Sequence, residues 1–232
     1  MPAPASLRDL AECVWVRQGA DTARILPDGC MDLIEFDDGV VVAGPDTRAH
    51  VSEPQSPVAT GIRFRPGALP RLLGIPACEF RGVRVPLATV RPDLESAPLM
   101  SAVDRLLKGE ATRETAPWPV EQLAHVTHRF WTGASVQSVA DDIGSSARNL
   151  QRQSAAVYGY GPAMLRRVLR FRRAVHLLRA GRAIADTAHV TGYSDQAHFS
   201  RQVRDLAGVS ASQLASGEYR STDVPSGSST VA

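Results

Sequence analysis

The chain repeats itself. "SVQSVADDIGSSARNLQRQ", from Ser135, and "AIADTAHVTGYSDQAHFSRQ", from Ala183, superimpose. Val136, Ala140 and Gly144 match Ile184, Ala188 and Gly192 at an offset of 48. Past the turn the offset is 49, so that Leu150, Arg152 and Gln153 match Phe199, Arg201 and Gln202. Each copy reads as a short helix, a turn containing Gly, and a second helix begun by Ser. Ala140 and Ala188 fall where two steeply crossing helices approach, and a small side chain is needed there. Leu150 and Phe199 pack under the second helix. This is the helix-turn-helix pattern, whose second helix enters the DNA major groove.

Once Leu150 and Phe199 are turned inward, the outward positions follow. They are Arg148, Gln151 and Arg152 in the first copy, and Gln196, His198 and Arg201 in the second. Arg can pair with guanine O6 and N7, and Gln with adenine. A phosphate contact or a plain solvated surface remains the alternative for each. Ser146 and Ser194 open the two second helices and are expected to cap them.

Between the copies, "GPAMLRRVLRFRRAVHLLRAG" begins with Pro162 and ends with Gly181. Leu165, Val168, Leu169, Val175 and Leu178 line one side; Arg166, Arg170 and Arg173 line another. Eighteen or so helical residues span about 27 Å, against about 34 Å for a DNA turn. One chain can thus set two reading helices in successive major grooves, with Ser146, Arg166, Arg170 and Ser194 as phosphate-contact candidates. Helices are expected near 119–131, 135–142, 146–157, 162–179, 183–190, 195–206 and 211–216.

Residues 117–216 resemble the DNA-binding domain of the AraC/XylS family of bacterial transcription regulators. "IADTAHVTGYSDQAHFSRQVRDLAGVSASQL" follows that family's signature, and "SSARNLQRQSAAVYGYGPAMLRRVLRFRRAVHLLRAG" its upstream half. Ala211 stands where the family usually has Pro. The resemblance implies promoter DNA as partner, control of transcription with RNA polymerase contacts, a bacterial cytoplasmic setting, and a front domain that senses a small-molecule effector or forms a homodimer.

The front part carries other signals. "MDLIEFDDGVVVA" reads as strands Met31–Phe36 and Val40–Ala43 joined by Asp37-Asp38-Gly39. Ala59–Arg65 is a further strand stopped by Pro66-Gly67, and a short helix follows over Ala68–Leu73. Leu99, Val103, Leu106 and Leu107 form one helical face, which either packs on its own domain or pairs with a second copy. Arg63 and Arg65, two apart on a strand, share a face. They either bind an anionic ligand inside a β-rich cup or pair with Asp28 or Asp32.

Charge separates the two parts. Residues 1–116 hold 13 Lys and Arg against 16 Asp and Glu, whereas 117–217 hold 12 Arg against 6 acids. Only the back part is suited to a polyanion. No apolar run is long enough for a membrane span, and no secretory signal is visible. Cys13, Cys30 and Cys78 are scattered, so with His50 they are read as structural rather than as a zinc site. Cys30 is the candidate for an alkyl-accepting enzyme, but no cluster activates it, and the chain is read as non-enzymatic, without cofactor. The expected fold is α+β. A small β-rich domain spans 1–112, an all-α domain of two helix-turn-helix units joined by a long helix spans 113–217, and a disordered tail spans 218–232.

Overall fold

The computed structural model describes residues 7–19, 22–52 and 56–216; the tail expected to be disordered lies outside them. The front domain is built on a five-stranded antiparallel sheet of order β1-β6-β3-β4-β7. Its strands are β1 (Ala11–Gln18), β3 (Met31–Phe36), β4 (Gly39–Ala43), β6 (Val58–Phe64) and β7 (Arg84–Pro86). Central β3 pairs with β4 through a tight turn, Phe36 opposite Gly39, and with β6, Leu33 opposite Ile62. The strands β2 (Ala23–Ile25) and β5 (His50–Ser52) form a separate two-stranded ribbon.

One face of the large sheet is covered by short helices: α1 (Leu69–Leu73), α2 (Leu87–Val90) and α3 (Leu99–Leu106). Met31, Leu33, Val42, Ile62 and Phe64 meet Leu69, Phe80, Leu87 and Leu94 in one core. Leu99, Val103 and Leu106 are fully buried in that same core. The apolar face of α3 is therefore spent on its own domain, the first of the two alternatives open for it in the sequence, rather than on a helix pair with a second copy.

The elements that follow, among the described residues, are all helices. After α4 (Val120–Trp131) come α5 (Val136–Asp142) and α6 (Ala147–Tyr158), which form the first helix-turn-helix unit. The linker α7 (Pro162–Arg179) leads to α8 (Ile184–Val190) and α9 (Gln196–Ala207), the second unit, and α10 (Ala211–Ser216) closes the domain. The linker belongs to both units. Leu165, Val168 and Leu169 pack with Val126, Phe130, Val139 and Leu150. Phe171, Ala174, Val175 and Leu178 pack with Ala188, Phe199 and Val203. An 18-residue helix supplies enough faces to bury one stripe in each core.

The front domain touches both units. Gly67 lies so close to Val157 and Tyr158 of the first unit, and to Leu123 of α4, that a Cβ there would come within 2.5 Å of Val157. The ribbon reaches the second unit through Arg24 Nη1, which donates to Ala207 O at 3.0 Å, and Ala49 N donates to Leu206 O at 2.6 Å. Midway along α7, Arg172 donates to Glu12 Oε2 at 2.7 Å.

Candidate nucleic-acid interface

The two units share the backbone bonds that close their turns. Ser145 N donates to Ala140 O at 2.9 Å, and Tyr193 N to Ala188 O at 3.0 Å. Gly144 and Gly192, at φ +61° and +76°, take the left-handed conformation that closes each first helix. Ala140 and Ala188 are buried where the helices cross, as are Leu150 and Phe199 beneath the second helices.

The caps differ. Ser146 Oγ accepts from Asn149 N at 3.1 Å and caps α6. In α9 the cap is Asp195, whose Oδ1 accepts from His198 N at 2.6 Å, rather than Ser194. The one-residue insertion is taken up in the turn, where Tyr193 packs inward against Phe199 with ring centroids 4.9 Å apart. Applying the second offset, 49, to Ser146 leads to Asp195, so the sequence did contain this signal. The N–H of His198 and the Ser194 hydroxyl hold the Asp195 carboxyl below the usual carboxylate range.

Arg148, Gln151 and Arg152 are exposed on α6, and Gln196 and Arg201 on α9. Arg152 Nη2 donates to Asn149 Oδ1 at 2.8 Å, which extends the guanidinium along the helix surface. His198 is half-buried; its Nδ1 lies 3.0 Å from Ser194 Oγ and its ring stands edge-on to Tyr193. Each unit thus presents polar side chains that can donate to base edges or phosphates.

The Arg stripe of the linker divides by role. Arg170 lies 4.2 Å above the Tyr193 ring and donates to Gly192 O at 3.3 Å and to Gln202 Oε1 at 3.1 Å. Those bonds tie the linker to the second turn. Arg166 and Arg173 remain partly exposed. Arg172 faces the front domain. It was not singled out in the sequence because its partner, Glu12, lies 160 residues away.

In the front domain, Arg63 is buried and ion-paired to Asp28 at 3.1 Å and Asp32 at 3.3 Å. Arg65 is exposed and lines a different space, a cavity of about 400 Å³ between the two domains. Leu123, Trp131, Leu169, Arg172 and His176 also line it, as do Asp9 and Glu12, the latter already held by Arg172. Burial, with Arg172 and Arg179 nearby, lowers the pKa of His176 and favours its neutral form. Cys30 is fully enclosed, and burial pushes its thiol well up, the opposite of an activated nucleophile.

A buried pair of steeply crossed helices with a polar outer face, built twice and joined by a shared helix, defines a double helix-turn-helix DNA-binding domain. Residues 139–216 match the family described as helix-turn-helix domain, and residues 1–86 the family described as domain of unknown function (DUF6597). The chain thus carries a helix-turn-helix domain over residues 139–216 behind a DUF6597 domain over residues 1–86. Among solved structures it is similar to the C-terminal domain of AraT, a response regulator from Geobacillus stearothermophilus, at 24% identity and a TM-score of 0.38, over 44% of this chain and 87% of that one. It is also similar to ToxT from Vibrio cholerae O395, at 11% identity and a TM-score of 0.44, over 87% and 95% of the two chains. ToxT from strain SCE256 with an unsaturated fatty acid bound gives 11% identity and a TM-score of 0.43, over 89% and 94%. No curated protein matches the chain. Among the described residues, no helix is long and apolar enough to cross a membrane.

Proposed function

We propose that this chain is a cytoplasmic, sequence-specific transcription regulator that reads a bipartite DNA site with α6 and α9. The observation that carries the reading is the equivalence of the two units. The same turn bonds and the same buried Ala hold two helices whose outer faces offer Arg148, Gln151 and Arg152, and Gln196, His198 and Arg201. The linker length suits two reading helices about one DNA turn apart. Ser146, Arg166 and Ser194 supply phosphate contacts at the edges. RNA polymerase is the protein partner proposed for this role.

Response to a small molecule belongs to the same proposal. Arg63 has no free donor face once it is held by Asp28 and Asp32, so the Arg63/Arg65 cup is replaced by the interdomain cavity. Its apolar wall and the Arg65 guanidinium suit an organic anion, and filling it acts on α4 and α7 together. A metabolite screen by thermal shift tests this. A hit whose stabilisation is lost in Arg65→Ala, and which alters DNA affinity, is the expected result. A screen with no hit favours a constitutive binder whose front domain only dimerises.

A further inference from the structure

A second cleft, of about 420 Å³, lies between the front domain, the start of the linker α7 and the last turn of α9. The start of α7 gives Gly161 and Arg167, the last turn of α9 gives Asp205, and the front domain gives Arg48 and Arg81. Arg167 holds Asp205 at 3.1 Å, yet its Nε is buried without a hydrogen-bond partner. The guanidinium groups of Arg48 and Arg81 are exposed and have no partner among the described residues. Asp46, two residues before Arg48, is already held by Arg84 at 2.6 Å. Three guanidinium groups thus share a cleft with one carboxylate. Such an excess of cationic charge favours an anion in the cleft.

The cleft adjoins both reading faces. Gln151, a reading candidate of α6, lies directly against Gly161. Asp205 follows Arg201 by four residues, which places it one turn further along the same side of α9. In the bipartite reading proposed above, the DNA between the two base-reading segments runs beside this cleft. Two helices in successive major grooves leave a minor groove between them, and its edges are phosphates.

We propose that this cleft is a phosphate-binding site, and that its occupant in the working complex is the DNA backbone between the two base-read segments. The front domain, through Arg48 and Arg81, then takes a direct part in DNA binding. Guanidinium forks match phosphate oxygens in paired hydrogen bonds. The proposal rests on the bipartite reading above. A free phosphorylated small molecule offers the same oxyanion, and the test separates the two sources.

The test compares the full chain with the double variant Arg48→Ala, Arg81→Ala, which removes only exposed, unpartnered groups. Site selection with the unaltered chain comes first, and a one-segment site there overturns the bipartite reading before the variant is considered. Affinity for the selected site is then measured across a salt series. Losing two phosphate contacts should reduce the slope of log K against log salt by about 1.8, so the affinity lost between roughly 50 and 200 mM salt shrinks about 12-fold. Base preferences should not change. In parallel, inorganic pyrophosphate is titrated without DNA while the melting temperature is followed. An unchanged slope, with pyrophosphate stabilising the unaltered chain but not the variant, assigns the cleft to a free anion and removes the DNA assignment. An unchanged slope together with identical pyrophosphate responses overturns the phosphate site altogether.

Discussion

The two helix-turn-helix units share one plan but are attached to the front domain differently. The first is held by packing. Its recognition helix ends at Gly159, where a Cβ would stand 2.5 Å from the Pro45 ring and 3.1 Å from Ala77 O. The second is held mainly by polar contacts, with Leu26 the apolar side chain that the front domain packs against its core. Its recognition helix ends at Gly208, beside the tip of Arg24, which bonds to Ala207 O. It also depends on Arg170, which clamps the Tyr193 turn to the linker. Close packing resists displacement because any gap forfeits contacts, whereas exchanging a polar contact for water costs little. The first unit is therefore the fixed end of the reader and the second the adjustable end.

The largest expected effect comes from breaking the fixed end. Gly159 has φ +82° and Gly208 φ +69°, so alanine is strained at both. At Gly159 the new methyl also meets a proline ring and a backbone carbonyl, neither of which yields easily. Gly159→Ala should cost about 2–4 kcal/mol, from strain plus overpacking. Gly208→Ala should cost about 1 kcal/mol, since only the flexible end of Arg24 must move. Urea denaturation of the two variants checks this, and equal losses would remove the distinction between packed and polar attachment.

Arg170 comes next. Its stacking on Tyr193 and its two hydrogen bonds are together worth about 2 kcal/mol. Arg170→Ala should loosen the second unit alone. Hydrogen exchange should quicken in α8 and α9 and stay as it was in α5 and α6. Uniform quickening would mean that the clamp serves both units.

How much of this contrast the sequence carried depends on the range of each interaction. The repeat is local, so Ala140, Ala188, Leu150 and Phe199 were legible from spacing and lie where expected. The central hairpin of the front sheet was legible from its turn signal. β1, β2, β5 and β7 were not called, because three of them have only three residues. β1 alternates buried and half-buried positions over its first half and half-buried and exposed ones over its second, but Cys13, Val14, Trp15 and Val16 form an unbroken apolar run that hides the alternation in the sequence. The attachment of the units was beyond sequence reading. Arg172 meets Glu12 and Arg24 meets Ala207 across more than 140 positions, and no local pattern marks either pair. Arg170 looked like one of three equivalent stripe residues, and only the fold of Tyr193 beneath it sets it apart.

The caps provide a smaller contrast. Ser146→Ala should cost about 1 kcal/mol at any pH, because a hydroxyl cap does not titrate. The Asp195 cap is different. Its folded pKa is depressed by the His198 N–H, so its contribution is complete above the ordinary carboxylate range, near pH 4. It fades as pH falls through the folded value. Mild acid should therefore fray the start of α9 before that of α6, as seen in amide shifts followed from pH 6 down to about 3. Simultaneous fraying would show that the two caps are equivalent.

The most direct test of a single chain reading two separated segments is site selection from random DNA with Arg152→Ala and Arg201→Ala. Each lost base contact should cost roughly 1–3 kcal/mol and relax its own position. The account predicts that Arg152→Ala blurs one segment and Arg201→Ala another, centred about 10 base pairs away. If both variants blurred the same base pairs, or if neither changed the selected profile, the two-helix reading would be contradicted.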